Sequence, residues 1–273
     1  MCGRYVIARS VDDLLFDVRA VAGQPLQDLP TGEVRANWNV APTSEVPILL
    51  ERLDDDAAAP LRELHVARWG LIPGWAKEAS IGTRAFNARS ETVVDKPMFR
   101  SAIRHRRCAV PANGYYEWKK RLDADGQPVK ATKDRPAKQP YYVHPADPEQ
   151  NIWFAGIYEW WQDVDGTWVL SCSILTTEAP STDSQQENLA ELGELHDRLP
   201  IALTRGTLGD WLDPTLGAGK DAEAEESVLE LVGRVRQEAT EAAAPWQLRA
   251  VGSAVGNVRN NSPELVEPIQ ALF

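Results

Sequence analysis

The 273-residue sequence predicts a single globular domain of mixed α and β class, in which short strands outnumber helices. Apolar residues make up 43% and charged residues 25% of the chain, which are ordinary values for a globular protein. Runs of β-branched and aromatic residues, bounded by turn residues, recur along the chain. The length alone would also allow two small domains, but no repeat, low-complexity linker or internal boundary divides the sequence.

The first third of the chain predicts one helix and three strands. Ser10 and Asp13 form a capping-box pattern that opens the helix, and its apolar face is expected to consist of Leu14, Leu15, Val18 and Val21. The strands are expected at residues 4–8, 46–50 and 64–69, with an exposed hairpin tip at 54–60. A stretch at 37–43 leads into the second of them.

The remainder predicts further strands joined by polar segments. A helix is expected through Met98 and Ile103, and another at residues 227–235. Strands are expected at residues 107–111, 115–118, 141–144, 152–161, 168–177 and 201–203. Residues 122–139 read as a polar loop, and residues 181–194 as a loop followed by a helix.

Composition excludes several classes of protein. The three cysteines, Cys2, Cys108 and Cys172, are far apart and show no C-x-x-C spacing, which argues against a disulfide framework or zinc site and for a reducing compartment. We therefore expect no metal and no cofactor. No apolar run approaches the length of a membrane span, and no basic-then-apolar leader precedes Cys2, so a soluble, cytoplasmic protein is expected.

The charge is acidic overall and basic locally. A net charge of −11 argues against a nucleic-acid partner on global electrostatics. Residues 84–107, however, carry seven Lys/Arg against two acidic residues, a local balance of +5. Acidic residues concentrate instead at 54–56 and 221–241. Because a phosphate responds to the local field, a basic groove on an acidic body stays open.

The residue with the most reactive chemistry is Cys2. If Met1 is removed, Cys2 carries both a thiol and a free α-amine, whose ordinary pKa values are about 8.5 and about 7.7–8.0. Such a 1,2-aminothiol condenses with an aldehyde and closes a five-membered thiazolidine ring. The alternative is that Cys2 is a small hydrophobic residue at the start of a strand.

Two further stretches contain candidate functional residues. Residues 69–75 place Trp69 and Trp75 on a loop, either as a base-stacking platform or packed on the core, and core packing is expected for one of the two. In the strand at 115–118, alternation puts Glu117 on the face of Tyr115 and opposite Tyr116 and Trp118. Aromatic surroundings favour a protonated carboxyl group, as a general acid requires, although a strand glutamate at the surface is an equal alternative.

Six motifs in order resemble the SRAP family of abasic-site processing proteins, whose name stands for SOS-response-associated peptidase. They are Met1-Cys2-Gly3-Arg4-Tyr5, Asn39-Val40-Ala41-Pro42-Thr43, Trp69-Gly70-Leu71-Ile72-Pro73, Asn87-Ala88-Arg89-Ser90-Glu91, Arg107–Pro111 with Gly114–Trp118, and His196-Asp197-Arg198-Leu199-Pro200. The resemblance implies one α+β domain over the whole chain, with a curved, mostly antiparallel and barrel-like sheet flanked by helices. It also implies a monomer that binds single-stranded DNA containing abasic sites and that associates with the nucleoid when DNA is damaged.

The resemblance also assigns roles to individual residues. Cys2 would attack the aldehyde of the abasic site, supported by three further catalytic residues, Asn87, Glu117 and His196. The DNA-binding set would consist of Arg4, Arg89 and Arg198 on phosphates, with Asn39, Pro42, Trp69, Trp118 and Thr177 near the strand. The polar segments 122–139 and 181–194 depart from the family's motifs.

The implied chemistry is a Schiff base between the Cys2 amine and the sugar aldehyde, followed by ring closure by the thiol. Glu117 would act as the acid, and His196 would move protons. Two alternatives share parts of this pattern: an N-terminal-nucleophile cysteine peptidase or amidase, and a non-covalent single-stranded DNA-binding module. A peptidase activity limited to the removal of Met1 is compatible with both the cross-linking hypothesis and the amidase hypothesis.

Overall fold

The protein is represented by a computed structural model that describes residues 3–18, 21–22, 35–53, 60–123, 125–130, 137–217, 219 and 221–269. The strands within these ranges are β1 (Tyr5–Ile7), β2 (Val21–Ala22), β3 (Asn37–Val40), β4 (Glu45–Arg52), β5 (Leu61–Trp69), β6 (Asn87–Arg89), β7 (Arg107–Ala112), β8 (Gly114–Lys120), β9 (Lys138–Pro145), β10 (Ile152–Gln162), β11 (Trp168–Glu178), β12 (Arg198–Pro200) and β13 (Trp246–Ala250). The α-helices are α1 (Val11–Val18), α2 (Arg100–His105), α3 (Glu187–Leu195), α4 (Arg205–Leu212) and α5 (Ala222–Ala243). Short 3-10 helices occupy Ala79–Arg84, Ser253–Gly256 and Pro263–Val266.

Two sheets organise these elements. The smaller sheet has the antiparallel order β13-β9-β8-β1-β3, so the N-terminal strand lies between two neighbours. The larger sheet has the order β12-β11-β10-β7-β4-β5-β2. Its strand β11 also pairs with β5 in parallel, Ser171 opposite Arg68 and Cys172 opposite Trp69. That pairing closes β4, β5, β7, β10 and β11 into a five-stranded barrel.

The predicted fold class is confirmed: helices flank a curved and mostly antiparallel sheet. The parallel pairings in the described ranges are β11 with β5, β11 with β6, and β2 with β5. One large apolar cluster fills the barrel, and helix α5 covers it with an apolar stripe at helical spacing: Val228, Leu231, Val232, Val235, Ala239 and Ala243. In the part of the chain described, no helix is long and apolar enough to cross a membrane.

Most of the predicted elements are confirmed, and the strand at 107–111 is buried throughout. Ser10 caps α1 as expected, because its hydroxyl accepts from the backbone N–H of Asp13 at 3.2 Å, although the Asp13 carboxylate accepts from that hydroxyl and not from the backbone N–H of Ser10. Cys172 lies in the core, as a mid-strand cysteine should. The hairpin of β4 and β5 forms as predicted, but residues 54–59 at its tip lie outside the described ranges.

Four expectations are wrong in position or length. Val21 belongs to β2, opposite Glu63, and not to the apolar face of α1. The strand expected at 201–203 lies earlier, at β12, because Arg198–Pro200 is the segment that pairs with β11. The helix expected at 227–235 is the middle of the 22-residue α5. Met98 precedes α2, and α4 and β13 were not predicted.

Candidate functional site

The N-terminal strand brings the start of the chain to the centre of the smaller sheet. Cys2, the predicted nucleophile, lies outside the described residues, and Gly3 is the first residue described. Strand β1 follows at once, with Tyr5 opposite both Tyr115 and Val40. The backbone N–H of Tyr116 donates to the Arg4 carbonyl at 2.9 Å. Strand β8 therefore holds the backbone of Arg4, and β3 and β8 together hold Tyr5 directly after it.

The side chain of Arg4 is held by two acceptors. Its Nη1 donates to Asn39 Oδ1 at 2.9 Å and to the Val255 carbonyl at 3.1 Å. Burial lowers the pKa of the Arg4 guanidinium from its ordinary value. The predicted phosphate contact of Arg4 stays a prediction.

The side chain of Asn39 is buried and hydrogen-bonded within the protein. The residue is 3% exposed, and its Nδ2 donates to the carbonyls of Val255, Asn257 and Asn260 at 3.0–3.2 Å. With Oδ1 accepting from Arg4, every polar atom of the side-chain amide has a protein partner. The hydrogen-bonding capacity of this amide is thus used within the protein, and the predicted place of Asn39 near the DNA stays a prediction.

An aromatic stack links the N-terminal strand to β6. The ring of Trp69 lies between Tyr5 (centroids 5.1 Å apart) and Phe86 (5.7 Å), both edge-to-face, and its Nε1 donates to the Phe86 carbonyl at 2.8 Å. Trp69 is fully buried, and its predicted place near the DNA stays a prediction. Its position sets the spacing between β1 and the strand that begins at Asn87.

Trp75 is the tryptophan of this loop that reaches the surface. Its side chain is 60% exposed, and its Nε1 donates to the Pro97 carbonyl at 3.4 Å. The loop can turn away from Trp69 because Gly70 has φ of +140°, and a Cβ there would lie 2.5 Å from the Gly82 carbonyl oxygen. The expectation that one of the two tryptophans belongs to the core is thus confirmed, and that residue is Trp69.

Strand β11 gathers most of the remaining candidates. Strand β6 runs beside it, with Asn87 opposite Ile174 and Arg89 opposite Thr176. Strand β12 also pairs with it, with Arg198 opposite Glu178. These pairings bring together Asn87, Arg89, Thr177 and Arg198, with His196 two residues before Arg198, from three separate segments of the chain.

Arg198 has an acidic partner that sequence analysis missed. Its Nη1 and Nη2 donate to the two carboxylate oxygens of Glu91 at 3.0 and 2.8 Å, and Nη2 also donates to the Thr176 carbonyl at 2.8 Å. The Arg198 side chain is only 9% exposed. The phosphate contact of Arg198 stays a prediction, and in this structure the carboxylate of Glu91 occupies its guanidinium fork.

Glu91 accepts a further hydrogen bond, from the Thr177 hydroxyl at 3.4 Å. Burial alone would raise the pKa of the Glu91 carboxyl, but the hydrogen bond and charge of Arg198 outweigh it and leave that pKa lowered. Thr177 is itself buried and its hydroxyl faces Glu91, while its predicted place near the DNA stays a prediction. The signal for Glu91 was its place in the motif Asn87-Ala88-Arg89-Ser90-Glu91.

Arg89 is exposed on β6, and no ion pair to it is found among the described residues. The basic stretch around it divides into two groups. Arg104 pairs with Glu225, Arg106 pairs with Glu159, and Arg107 is buried against backbone carbonyls. The side chains that stay exposed are those of Arg84, Arg89, Lys96 and Arg100. Part of the local positive charge is therefore available to a phosphate.

Strand β8 presents Glu117 on the face predicted for it. The carboxyl group is buried (6% exposed), and its Oε1 accepts from the Trp118 backbone N–H at 3.4 Å. Tyr116 and the half-buried Trp118 pack in a separate apolar cluster on the opposite face, as alternation requires. Pro42, also half-buried, lies in the turn before Thr43, whose φ is +77°.

His196 follows the last residue of α3, and its side chain is 27% exposed. Its Nδ1 lies 2.6 Å from Asp197 Oδ1 and 3.0 Å from the backbone nitrogen of Arg198. The carboxylate contact needs a proton on Nδ1, whereas the N–H of Arg198 needs its lone pair. The two contacts at Nδ1 therefore exclude one another in a single tautomer. An ion pair of Lys119 with Glu194, at 2.6 Å, joins the strand of Glu117 to α3.

Comparison with known proteins identifies the family to which this arrangement belongs. Residues 1–258 match the family described as SOS response associated peptidase (SRAP). The chain belongs to the SRAP family.

Relatives of this SRAP protein extend over nearly its whole length. It is 33% identical over 270 residues to the "Abasic site processing protein YoqW" of Bacillus subtilis (strain 168), covering 98% of this chain and 99% of that one. It is 28% identical over 266 residues to the "Abasic site processing protein HMCES" of Mus musculus, covering 86% and 66%. A crystal structure of a protein from Bacteroides thetaiotaomicron has the same fold, with a TM-score of 0.70 at 22% identity over 98% of this chain.

The other two cysteines of the SRAP protein have no access to substrate. Cys108 and Cys172 are completely buried in the barrel, and burial raises the pKa of both thiols far above the ordinary value. Within the described segments, no group of three or more His, Cys, Asp or Glu side chains could hold a metal ion.

Proposed function

We propose that this SRAP protein processes abasic sites in single-stranded DNA by forming a covalent cross-link through Cys2. The observation that carries the proposal is the match to an abasic site processing protein over 98% of this chain and 99% of the relative. The chemistry of the site supports the proposal. Arg4, close to the start of the chain, is held by hydrogen bonds, and other strands and loops contribute buried polar groups and the exposed ring of Trp75.

The proposed reaction begins after Met1 is removed. An abasic deoxyribose in its open form has an aldehyde at C1′, and the uncharged α-amine of Cys2 adds to that carbon. Loss of one water molecule gives a Schiff base. The Cys2 thiol then adds to the imine carbon while the imine nitrogen takes up a proton, which closes the thiazolidine ring. No oxidant, metal or cofactor is needed at any step.

The other residues would assist in distinct ways. Glu117 is the proposed acid that protonates the departing hydroxyl, and His196 the group that moves protons at the sugar. Positioned proton transfer of this kind contributes about 10²–10⁴-fold to a rate. Asn87 does not titrate, so orienting the amine or a sugar oxygen is its natural role.

We propose a DNA path that runs over the exposed groups near these residues. Arg89 would contact a phosphate, and Arg4 would contribute charge beside the nucleophile. Trp75 takes over the stacking role first considered for both loop tryptophans, since its ring is exposed. Trp118 and Pro42, both half-buried, would line the strand.

The decisive experiment mixes the protein with three oligonucleotides: one with an abasic site, one with a chemically reduced abasic site that has no aldehyde, and one intact. A band that survives heat and detergent should form with the first alone. Cys2→Ala should lose this stable band but still give a borohydride-trapped Schiff base, because its α-amine survives. A stable adduct of Cys2→Ala at wild-type yield, without reductant, would contradict the mechanism.

The same assay separates the alternatives. Tight binding of all three strands without an adduct would indicate a non-covalent DNA-binding module, and cleavage of added peptides would favour an amidase. Intact-mass measurement on the purified protein tests the removal of Met1 on which the chemistry depends. A Cys2→Ala protein that retains Met1, next to a wild type that lacks it, would support removal by the protein itself.

A further inference from the structure

The buried amide of Asn39 connects two parts of the chain that are more than 200 residues apart. Its Oδ1 accepts from Arg4, and its Nδ2 faces the carbonyls of Val255, Asn257 and Asn260. Arg4 reaches the same Val255 carbonyl. Arg4, Asn39 and this carbonyl thus form a closed triangle of hydrogen bonds, in which each member contacts the other two.

The segment that receives these bonds, Ser253 to Asn261, is itself well ordered by local contacts; we call it the C-terminal segment. A 3-10 helix (Ser253–Gly256) is followed by a turn in which the Asn260 N–H donates to the Asn257 carbonyl at 3.0 Å. The Asn260 side chain donates to the Ala254 carbonyl at 2.8 Å. A further bond runs from the Trp38 N–H to Asn261 Oδ1 at 2.8 Å. The segment therefore covers β3, the edge strand next to β1.

Apolar packing fixes the same segment from below. Val255 is fully buried and belongs to the small cluster with Val6, Tyr116 and Tyr142. The hydroxyl of Tyr116 donates to the Trp38 carbonyl at 2.8 Å, which ties β8 to β3 beneath the segment. The C-terminal segment thus rests on the two strands that flank the start of the chain.

We propose that Asn39 is a positioning residue, which holds Arg4 and the C-terminal segment as one rigid unit beside the chain start. The C-terminal segment is then a wall of the site for the DNA strand, and not a peripheral tail. This inference rests on the proposed function for its consequence in catalysis. Its structural part, the coupling of Arg4 to the segment through one amide, can be tested independently.

Two substitutions separate the bonds of Asn39. Asn39→Asp keeps an oxygen acceptor for Arg4 but turns a carboxylate oxygen towards three carbonyls. The C-terminal segment should therefore loosen, while the hydrogen bond from Arg4 is retained. Asn39→Leu removes both sets of bonds. A matched control is Asn188→Leu. Asn188 lies at the start of α3 and also donates to two backbone carbonyls, those of Ala244 and Trp246.

The first measurement is limited trypsin digestion with mass analysis of cleavage after Arg259, an exposed residue of the segment. Both Asn39 variants should be cleaved there faster than the wild type and than Asn188→Leu. The second is the single-turnover rate of cross-linking at saturating abasic DNA. Asn39→Leu should be slower by about 10- to 100-fold, since small misplacements near a reacting centre have effects of this order, and Asn39→Asp should be slowed less.

A double-mutant cycle with Arg4→Ala distinguishes a specific coupling between Asn39 and Arg4 from a general loss of stability. If Asn39 acts through Arg4, then Arg4→Ala should slow the wild type and have little further effect on Asn39→Leu. Equal effects of Arg4→Ala in both backgrounds would overturn the proposal, as would wild-type cross-linking by folded Asn39→Leu. If Asn39→Leu does not fold, wild-type resistance of Asn39→Asp to cleavage after Arg259 would overturn it as well.

Failure of the positioning role of Asn39 can be distinguished from failure of the proposed function. If the wild type forms no cross-link with abasic DNA, the proposed function fails. Cleavage after Arg259, and the Arg4–Asn39 coupling measured as affinity for an intact single strand, then still decide the inference.

Discussion

At the scale of single residues, burial gives chemically identical side chains different roles. Arg89 and Arg198 lie on strands that flank β11, yet Arg89 is exposed and Arg198 is 9% exposed with Glu91 in its fork. The motif pattern treats both as phosphate contacts, since a sequence motif carries no information about which arginine has an acidic partner. Arg198 and Glu91 can pair because β12 and β6, the strands nearest to them in sequence, both pair with β11.

We therefore expect these two arginines to differ in a salt titration. Each phosphate contact contributes roughly −0.7 to the slope of log K against log salt for a single strand. Arg89→Ala should flatten the slope by about one contact. Arg198→Ala should leave the slope unchanged and lower the thermal midpoint, because it leaves Glu91 partly buried without its cation. Arg205→Ala, an exposed arginine of α4, is the control for unspecific charge loss; flattening by Arg198→Ala would show that its ion pair opens on DNA.

The cysteines should show the same division. Native protein treated with iodoacetamide near pH 8 should be alkylated at Cys2, with Cys108 and Cys172 modified only after denaturation. The physical reason is that both barrel thiols are inaccessible and that burial raises their pKa. Peptide mass mapping before and after guanidinium treatment gives the result, and rapid native labelling of Cys108 would contradict the described core.

Glu117 can be tested by an isosteric change. Glu117→Gln keeps the shape and removes the proton, so it should slow cross-linking by about 10²–10⁴-fold if the residue is the acid. Affinity for intact single-stranded DNA should stay nearly the same. Weak binding combined with a normal cross-linking rate at saturation would make Glu117 a structural or DNA-contacting residue, and the acid role would pass to His196.

At the scale of elements, sequence periodicity predicts the long strands and fails where distant partners decide. Strands β5, β7, β8, β10 and β11 follow from runs of β-branched and aromatic residues and from alternation. Strand β12 does not, because it is only three residues long and is defined by its pairing with β11. The contacts of Asn39 do not either, because its acceptors are 216 to 221 residues away. Trp69 and Trp75 show the same limit, since composition predicts a loop but not which ring points inward.

The two tryptophans of that loop should have separable effects. Trp69→Ala removes the centre of the stack with Tyr5 and Phe86 and should destabilise the protein by about 3–5 kcal/mol. Trp75→Ala should leave stability almost unchanged and weaken single-strand affinity by about 1–3 kcal/mol, the usual range for a base stacked on an aromatic ring. Chemical denaturation and fluorescence anisotropy measure the two quantities, and unchanged affinity of Trp75→Ala would remove this ring from the DNA path.

At the scale of the whole molecule, one buried arginine joins the barrel to the helical layer. Arg107, on β7, donates to the carbonyls of Ile103, Arg104, Trp211, Asp213 and Leu216 at 2.6–3.1 Å. Four of these acceptors lie at the ends of α2 and α4, where helix carbonyls lack partners, and Leu216 lies in the turn after α4. Burial lowers the pKa of Arg107 to about 10, which still leaves it charged at neutral pH.

Removing this cation should affect the entire domain. Arg107→Met leaves five carbonyls with fewer donors and should lower the free energy of unfolding by about 3–5 kcal/mol, the range for breaking buried charge contacts. The neighbouring Arg104→Met is the control, because its ion pair with Glu225 is exposed and exposed pairs contribute about 0–1 kcal/mol. Urea denaturation with one cooperative transition checks both, and equal midpoints would exclude Arg107 as the connection between the layers.

The triangle of Arg4, Asn39 and Val255 also has a consequence for the timing of protein synthesis. Strands β1 and β3 leave the ribosome early, whereas Val255 is translated some 216 residues after Asn39. Until then the nascent chain lacks the acceptors that fix Arg4, and the edge of β3 has no cover. A ribosome-bound chain with its N-terminus already free would therefore hold an unfinished site throughout most of translation. On the proposed function, reactivity towards DNA would arise only once Val255, Asn257 and Asn260 have emerged and docked.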